Sequence, residues 1–391
     1  MIPASTPIQR APDARLLVIR PGGTLEHWPR SALAGLLQPG DLLVANDAAT
    51  LPASLAGIHV ETGRSIEVRL AGRGSLEPAD VGRFLAVIFG AGDFRTRTED
   101  RPPPPELEPG ERIQLGPLRA TVESLENHPR LVRLRFAGSV DEIWSGLARH
   151  GKPIQYAHVR QPLALWDVWT PIAGPAVAFE APSAGFALSW EMVSAMRRKG
   201  VEFATLTHAA GISSTGDPDL DARLPFDEPY RIPVYTAEAI ARAARVIAVG
   251  TTVVRALEDA AHSGRIKPGR GVATRKIGPA TRLSIVDALI SGTHERGTSH
   301  YELLRAFVSE ETLEHMEKQL DLQGYRTHEF GDSILVEKAV QPAKYRGGNP
   351  RWPRASTSNN TPASGSSSAP MAAEVTNSRS NSSPANTQLV I

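Results

Sequence analysis

The sequence predicts an α/β protein that carries an inserted antiparallel β unit, and two patterns lead to that reading. Across residues 189–262 amphipathic helices alternate with apolar strands, the order that builds a parallel sheet covered by helices. Across residues 66–136 the chain runs instead through short alternating or β-branched stretches cut by Gly and Pro. With 391 residues, 41% of them hydrophobic, there is length for about two or three domains and material for a real core.

In chain order, Gly40-Asp41-Leu42-Leu43-Val44-Ala45-Asn46-Asp47 is an apolar strand that delivers Asn46 and Asp47 at its end. Residues 66–70, 83–89, 112–115, 118–125 and 131–136 suit the strands of a small antiparallel barrel or sandwich. Residues 101–111, with four consecutive prolines and three glutamates, read as a stiff extended connection. Residues 189–199 form a helix ended by Gly200, 201–206 a strand, 237–244 a helix, 245–249 a buried strand and 252–262 a helix closed near Gly264. From about Ala343 a run rich in Ser, Asn, Thr and Pro cannot bury enough apolar area to offset its ordering entropy, so a disordered tail is expected. The resulting division is 1–62 with 150–342 as the α/β part, 63–149 as the insertion and 343–391 as the tail.

Composition narrows the function. Forty-three Lys and Arg against 42 Asp and Glu leave a formal charge of +1, so a polyanion must be held by a local patch. The absence of cysteine excludes disulfides, thiolate nucleophiles and iron–sulfur clusters. Prolines and charges break up the first 20 residues, and no apolar run approaches the roughly 18 residues of a membrane span. A cytoplasmic protein, off the membrane and monomeric, is expected.

Four segments can carry chemistry. Residues 246–258 run as a strand through Gly250 into a helix whose first turn holds Thr251 and Thr252; such a start offers N–H groups to a carboxylate or phosphate. On spacing alone, Arg255 and Glu258 equally suit a surface i,i+3 pair. Ala181-Pro182-Ser183-Ala184-Gly185 is a small-residue turn that lets a ligand approach backbone. His208 ends a strand ahead of a loop of small residues, and Asp287 and His294 flank another strand. Arg265, Lys267, Arg270, Arg275, Lys276 and Arg282 form a run without an acid, a candidate phosphate contact or simply a solvated face.

Taken in order, Arg15-Leu16-Leu17-Val18, residues 39–47, Pro52-Ala53-Ser54-Leu55-Ala56-Gly57, residues 181–185, 246–258 and 286–290, and residues 325–335 with Gly331-Asp332 resemble the S-adenosylmethionine:tRNA ribosyltransferase-isomerase family of queuosine biosynthesis. The resemblance implies a barrel-like α/β catalytic domain interrupted by a β-barrel. It implies transfer and isomerisation of the ribosyl part of S-adenosylmethionine onto the 7-aminomethyl-7-deazaguanine of the tRNA wobble position, giving epoxyqueuosine-tRNA, adenine and methionine, without a metal. Carried onto this chain, it names His208, Asp47 and His294 as catalytic candidates. Asn46, Ser183, Ala184, Gly185, Gly250, Thr251, Thr252, Arg255, Glu258 and Asp287 become binding candidates, and the six cations from Arg265 to Arg282 RNA contacts. The sulfonium acidifies the neighbouring ribose carbon, so the site needs a base. Family patterns are altered at Ala48-Ala49-Thr50, Phe186-Ala187-Leu188, Ala209-Ala210 and Glu295-Arg296, which leaves open a non-catalytic relative or one with a small-molecule acceptor.

Overall fold

Four apolar runs, Glu202–His208, Asp41–Asn46, Arg245–Val249 and Ala288–Gly292, lie side by side and parallel in the computed structural model, which describes residues 1–262 and 265–338. They form the centre of a nine-stranded sheet. Beyond Glu202–His208 lie Glu228–Ile232 and Gly269–Ala273, both antiparallel to their neighbours. Beyond Ala288–Gly292 lie antiparallel Ser333–Glu337, then Arg15–Ile19 and the outer hairpin strand Leu25–Pro29.

Strand alternation sends side chains to both faces. Leu42, Val44, Leu206, Val246 and Ala248 pack under the helices Thr251–Ala260, Val234–Arg242 and Glu310–Leu322. Leu43, Ala45, Ile247 and Val249 face Leu33, Leu37, Leu188 and Met196. Continuous apolar runs are what a sheet buried on both faces requires. The barrel-like shape implied for the α/β part resolves into this open sheet, and it is the inserted unit that closes.

That unit is a six-stranded barrel in the order Leu118–Leu125, Leu131–Phe136, Arg83–Phe89, Ser65–Gly72, Ser54–His59, Arg112–Leu115 and back to the first. Val68, Leu70, Phe84, Ile88, Leu115, Val122 and Leu134 fill its core, and the helix Val140–His150 packs Ile143 and Leu147 against it. The barrel begins at Ser54, ahead of the expected boundary at 63, because Ser54–His59 supplies the strand that closes it. The proline-rich stretch does not act as a free connection. Arg101 is buried there, donates to the Gly90 and Gly92 carbonyls at 2.9 and 3.0 Å and pairs with Glu67, which also accepts from Arg69 Nε at 2.9 Å.

The expected tail and Gly264 lie outside the described residues, and the helix expected to run to 262 stops at Ala260, because Ala261–His262 pairs as a short strand with Arg265–Ile266. Among the described residues no helix is long and apolar enough to cross a membrane.

Candidate active site

The C-terminal ends of parallel strands are where open α/β sheets bind ligands, because loops diverge there and leave a crevice. Here the ends of Arg245–Val249 and Ala288–Gly292 open onto a cavity of about 260 Å³. One wall is Gly250, Thr251 and Thr252. Gly250 has φ of +97°, a conformation that side chains resist, and caps the ten-residue helix Thr251–Ala260. A helix start leaves N–H groups that its own turns cannot satisfy. Glu180, Ala181, Pro182, Ser183 and Ala184 form a second wall, Ala210 to Ser213 a third, and Ser291, Gly292, His294 and His300 a fourth.

Among the described residues four carboxylates line this cavity, and three have their charge or oxygens committed. Glu228 pairs with buried Arg255 and accepts from Gly211 N at 2.6 Å. Glu302 pairs with Arg305 at 2.8 Å. Asp221 accepts from Thr215 N and Oγ1, both at 2.6 Å. Glu180 accepts the Tyr156 hydroxyl, and among the described residues it has no ion pair. Burial pushes its pKa up to about 7, against the opposing hydrogen bonds from Tyr156 and Ser213. A carboxylate that titrates near neutrality beside a cavity is suited to take or give a proton.

Histidines complete the fourth wall. His294 and His300 stack at 4.4 Å, with His294 Nε2 3.2 Å from Ser291 Oγ. Burial pushes both pKa values down, that of His300 to about 4, so the pair is neutral at pH 7 and exchanges hydrogen bonds without charge. In a second stacked pair, His158 and His328 at 4.2 Å, His158 lines a neighbouring small pocket together with Glu180, and its Nε2 is 3.0 Å from Glu329.

Of the sequence-derived candidates, Ser183, Ala184, Gly250, Thr251, Thr252, Arg255 and His294 line the cavity together. Gly185 lies just behind it, with Thr170 Cγ2 2.9 Å from where a Cβ would stand. His208 does not line it. Its ring is fully buried, 3.4 Å from Glu228, and burial lowers its pKa to about 3, so it remains neutral behind the wall. Asp47 sits apart from the cavity with both oxygens on the Thr205 and Thr207 hydroxyls, at 3.0 and 2.7 Å. Asn46 joins strands, donating to the His208 carbonyl and accepting from its N–H, both at 2.9 Å.

Glu258 and Asp287 have the same structural character. Glu258 accepts from the N–H groups of Ser284, Ile285 and Val286 at 2.7, 2.9 and 2.9 Å, and Asp287 accepts from Val246 N at 2.8 Å. Arg255 and Glu258 are therefore buried with separate partners, not an exposed i,i+3 pair. Of the six cations, Lys276 lines the cavity and donates to the Ala222 carbonyl, Arg275 donates to the Glu258 carbonyl at 3.1 Å and Arg270 pairs with Glu77. Arg265, Lys267 and Arg282 are exposed. Ala48 and Ala187, two of the altered family positions, are buried away from the cavity.

Glu180, Tyr156 and His300 escaped the sequence reading. Glu180 directly precedes the Ala181-Pro182-Ser183 turn, a signal that adjacency could have supplied. Tyr156 arrives from a distant loop and His300 from the short helix Ser299–Leu304, and neither carried one.

A family model described as queuosine biosynthesis protein matches residues 2–336. The S-adenosylmethionine:tRNA ribosyltransferase-isomerase of Thermosynechococcus vestitus is 33% identical over 343 residues, covering 85% of this chain and 92% of that relative. The protein of the same description from Pelobacter propionicus is 32% identical over 350 residues, covering 85% and 96%. The crystal structure of an S-adenosylmethionine tRNA ribosyltransferase from Thermotoga maritima aligns with a TM-score of 0.43 at 22% identity, over 86% of this chain and 95% of that one.

Proposed function

The chain belongs to the queuosine biosynthesis protein family, and from that premise we propose that it transfers and isomerises the ribosyl moiety of S-adenosylmethionine to the 7-aminomethyl-7-deazaguanine at the tRNA wobble position. The products are epoxyqueuosine-tRNA, adenine and methionine. The observation that carries this reading is one cavity that unites the Thr251–Ala260 helix start with a carboxylate free of any cationic partner among the described residues. The methionine carboxylate sits at Thr251 and Thr252, where N–H groups and hydroxyls favour an anion.

The sulfonium then lies toward Glu180, whose anion attracts it. Glu180 removes the proton from the ribose carbon beside sulfur: the C–H bond breaks, its electron pair stays on carbon and the proton passes to the carboxylate. Neutral His294 and His300 orient ribose or acceptor hydroxyl and amine groups. Exposed Arg265, Lys267 and Arg282 supply phosphate contacts. The internal partners of Arg270, Arg275 and Lys276 weaken that last role and favour, as the second reading, a small-molecule acceptor.

Mass spectrometry of adenine and methionine released from S-adenosylmethionine, with and without precursor-modified tRNA, decides between them. Release that requires the tRNA supports the proposal. Release without it supports the second reading, and no release under either condition rejects both.

A further inference from the structure

A buried histidine at one end of the barrel has no place in the cavity or its chemistry. His59, the last residue of the Ser54–His59 strand, is 0% exposed. Its Nδ1 lies 2.9 Å from Thr62 Oγ1, which fixes the ring. Its Nε2 lies 3.3 Å from Glu61 Oε2 and 3.2 Å from Glu111 Oε2, yet makes a hydrogen bond to neither. A buried ring nitrogen that passes over two carboxylate oxygens within reach calls for an explanation, and an ion between them is the simplest.

We propose that His59 Nε2, Glu61 and Glu111 bind a divalent transition-metal ion of the zinc type. One nitrogen and two carboxylate oxygens are a donor set that such ions accept. Ligands about 2.0–2.1 Å from a tetrahedral ion stand roughly 3.3 Å from one another. The two observed separations from Nε2 match that spacing, and the three donor atoms all lie within 4.8 Å of one another. Thr62 plays the outer part that such sites require, accepting the Nδ1–H so that Nε2 presents its lone pair.

The surrounding charge is compatible. Arg112 is the cation against the group, donating from Nε to Glu61 Oε1 at 3.1 Å and from its backbone to both oxygens of Glu61. Glu111 Oε2 also accepts from Glu108 N at 2.7 Å, which orients the carboxylate. Three protein ligands leave a fourth position for water. The ligands come from two turns, the one closed by His59 N to the Arg64 carbonyl and the one before the Arg112–Leu115 strand. The ion would therefore tie two barrel turns together. None of the three residues lines the cavity described above.

Equilibrium dialysis of the full chain against Zn²⁺ after EDTA treatment tests this, with Co²⁺ absorption as a second readout. The expected result is one equivalent bound, the visible bands of tetrahedral Co²⁺, and a melting temperature that rises on adding Zn²⁺. Thr62→Val weakens binding by about 10- to 100-fold. Glu111→Gln and Glu61→Gln, both at partly exposed side chains and so tolerable to the fold, weaken it by at least as much. No stoichiometric binding, or binding unchanged in both Gln variants, overturns the proposal; the latter would place the ion elsewhere, as at His158, His328 and Glu329.

Discussion

The barrel and the crevice of the open sheet both bury charge, and they treat it oppositely. In the barrel, Glu67 meets Arg69 and Arg101 together, and the two guanidinium groups lie over the Phe89 ring at 4.8 and 5.4 Å. The cations hold the Glu67 carboxyl below its ordinary range even though burial pushes it the other way. In the crevice, the partners of Glu180 among the described residues are neutral, the Tyr156 hydroxyl and the Ser213 hydroxyl and backbone N–H, and burial prevails. Compensated charge fixes a shape; uncompensated charge beside a cavity is available for chemistry.

The largest expected effect breaks the barrel side of this contrast. Arg101→Ala leaves Glu67 with Arg69 as its one remaining cation among the described residues and strands the Gly90 and Gly92 carbonyls, so urea unfolding is expected to show a loss of about 3–5 kcal/mol. Calorimetric affinity for S-adenosylmethionine is expected to be unchanged in the folded fraction. A loss below about 1 kcal/mol would mean that the network does not hold the barrel.

Next comes the helix start. Thr252→Val removes one hydroxyl from the anion-binding turn, and losing a hydrogen bond to a charged group costs about 1.5–3 kcal/mol, or roughly ten- to 150-fold in affinity for S-adenosylmethionine. Unchanged affinity in calorimetry would take this turn out of the site.

How much of this was legible follows from where the information lies. The Arg245–Val249 strand and the barrel strands from Arg83 to Phe136 are stated by their own apolar and alternating residues, so their bounds were recovered nearly to the residue. Gly250 and the helix after it are equally local. The roles of Asp47, Glu258 and Asp287 were not legible, because a carboxylate at a strand end or on a helix looks the same whether it faces a ligand or the N–H and hydroxyl groups of another segment. Glu180 acquires its raised pKa from burial among segments that meet only in the fold, with Tyr156 and Ser213 opposing the rise. Ser54–His59 was missed as a strand because its burial pattern does not alternate cleanly.

Smaller effects concern pH. Glu180 has a folded pKa near 7, above its ordinary 4.5, so its contribution to stability is present below about 4.5 and lost as pH rises through 7. His208 and His300, at about 3 and 4, work in the other direction: their contribution is present above 6.5 and lost as pH falls toward 4 and 3. Glu180→Gln removes only the first component. Denaturation at a series of pH values is expected to show this variant gaining on the wild type as pH rises from about 5 to about 8. Parallel curves would contradict the raised pKa.

The smallest effect is on salt dependence. Arg275 and Lys276 already have backbone partners, so replacing both by Gln is expected to change the logarithmic salt slope of tRNA binding by less than the roughly 0.7–0.9 per phosphate contact that Arg265→Gln removes. Equal changes would put all three on the RNA.

The measurement closest to the central claim is the rate of adenine release by Glu180→Gln at saturating S-adenosylmethionine and precursor tRNA, taken across pH with the melting temperature recorded alongside. The expected protein is folded, binds S-adenosylmethionine, and is slower by about 10²–10⁴. It is also expected to lack the rise through pH 7 that a base with this raised pKa would give the wild type. A folded variant that releases adenine at the wild-type rate with the same pH profile would contradict the account.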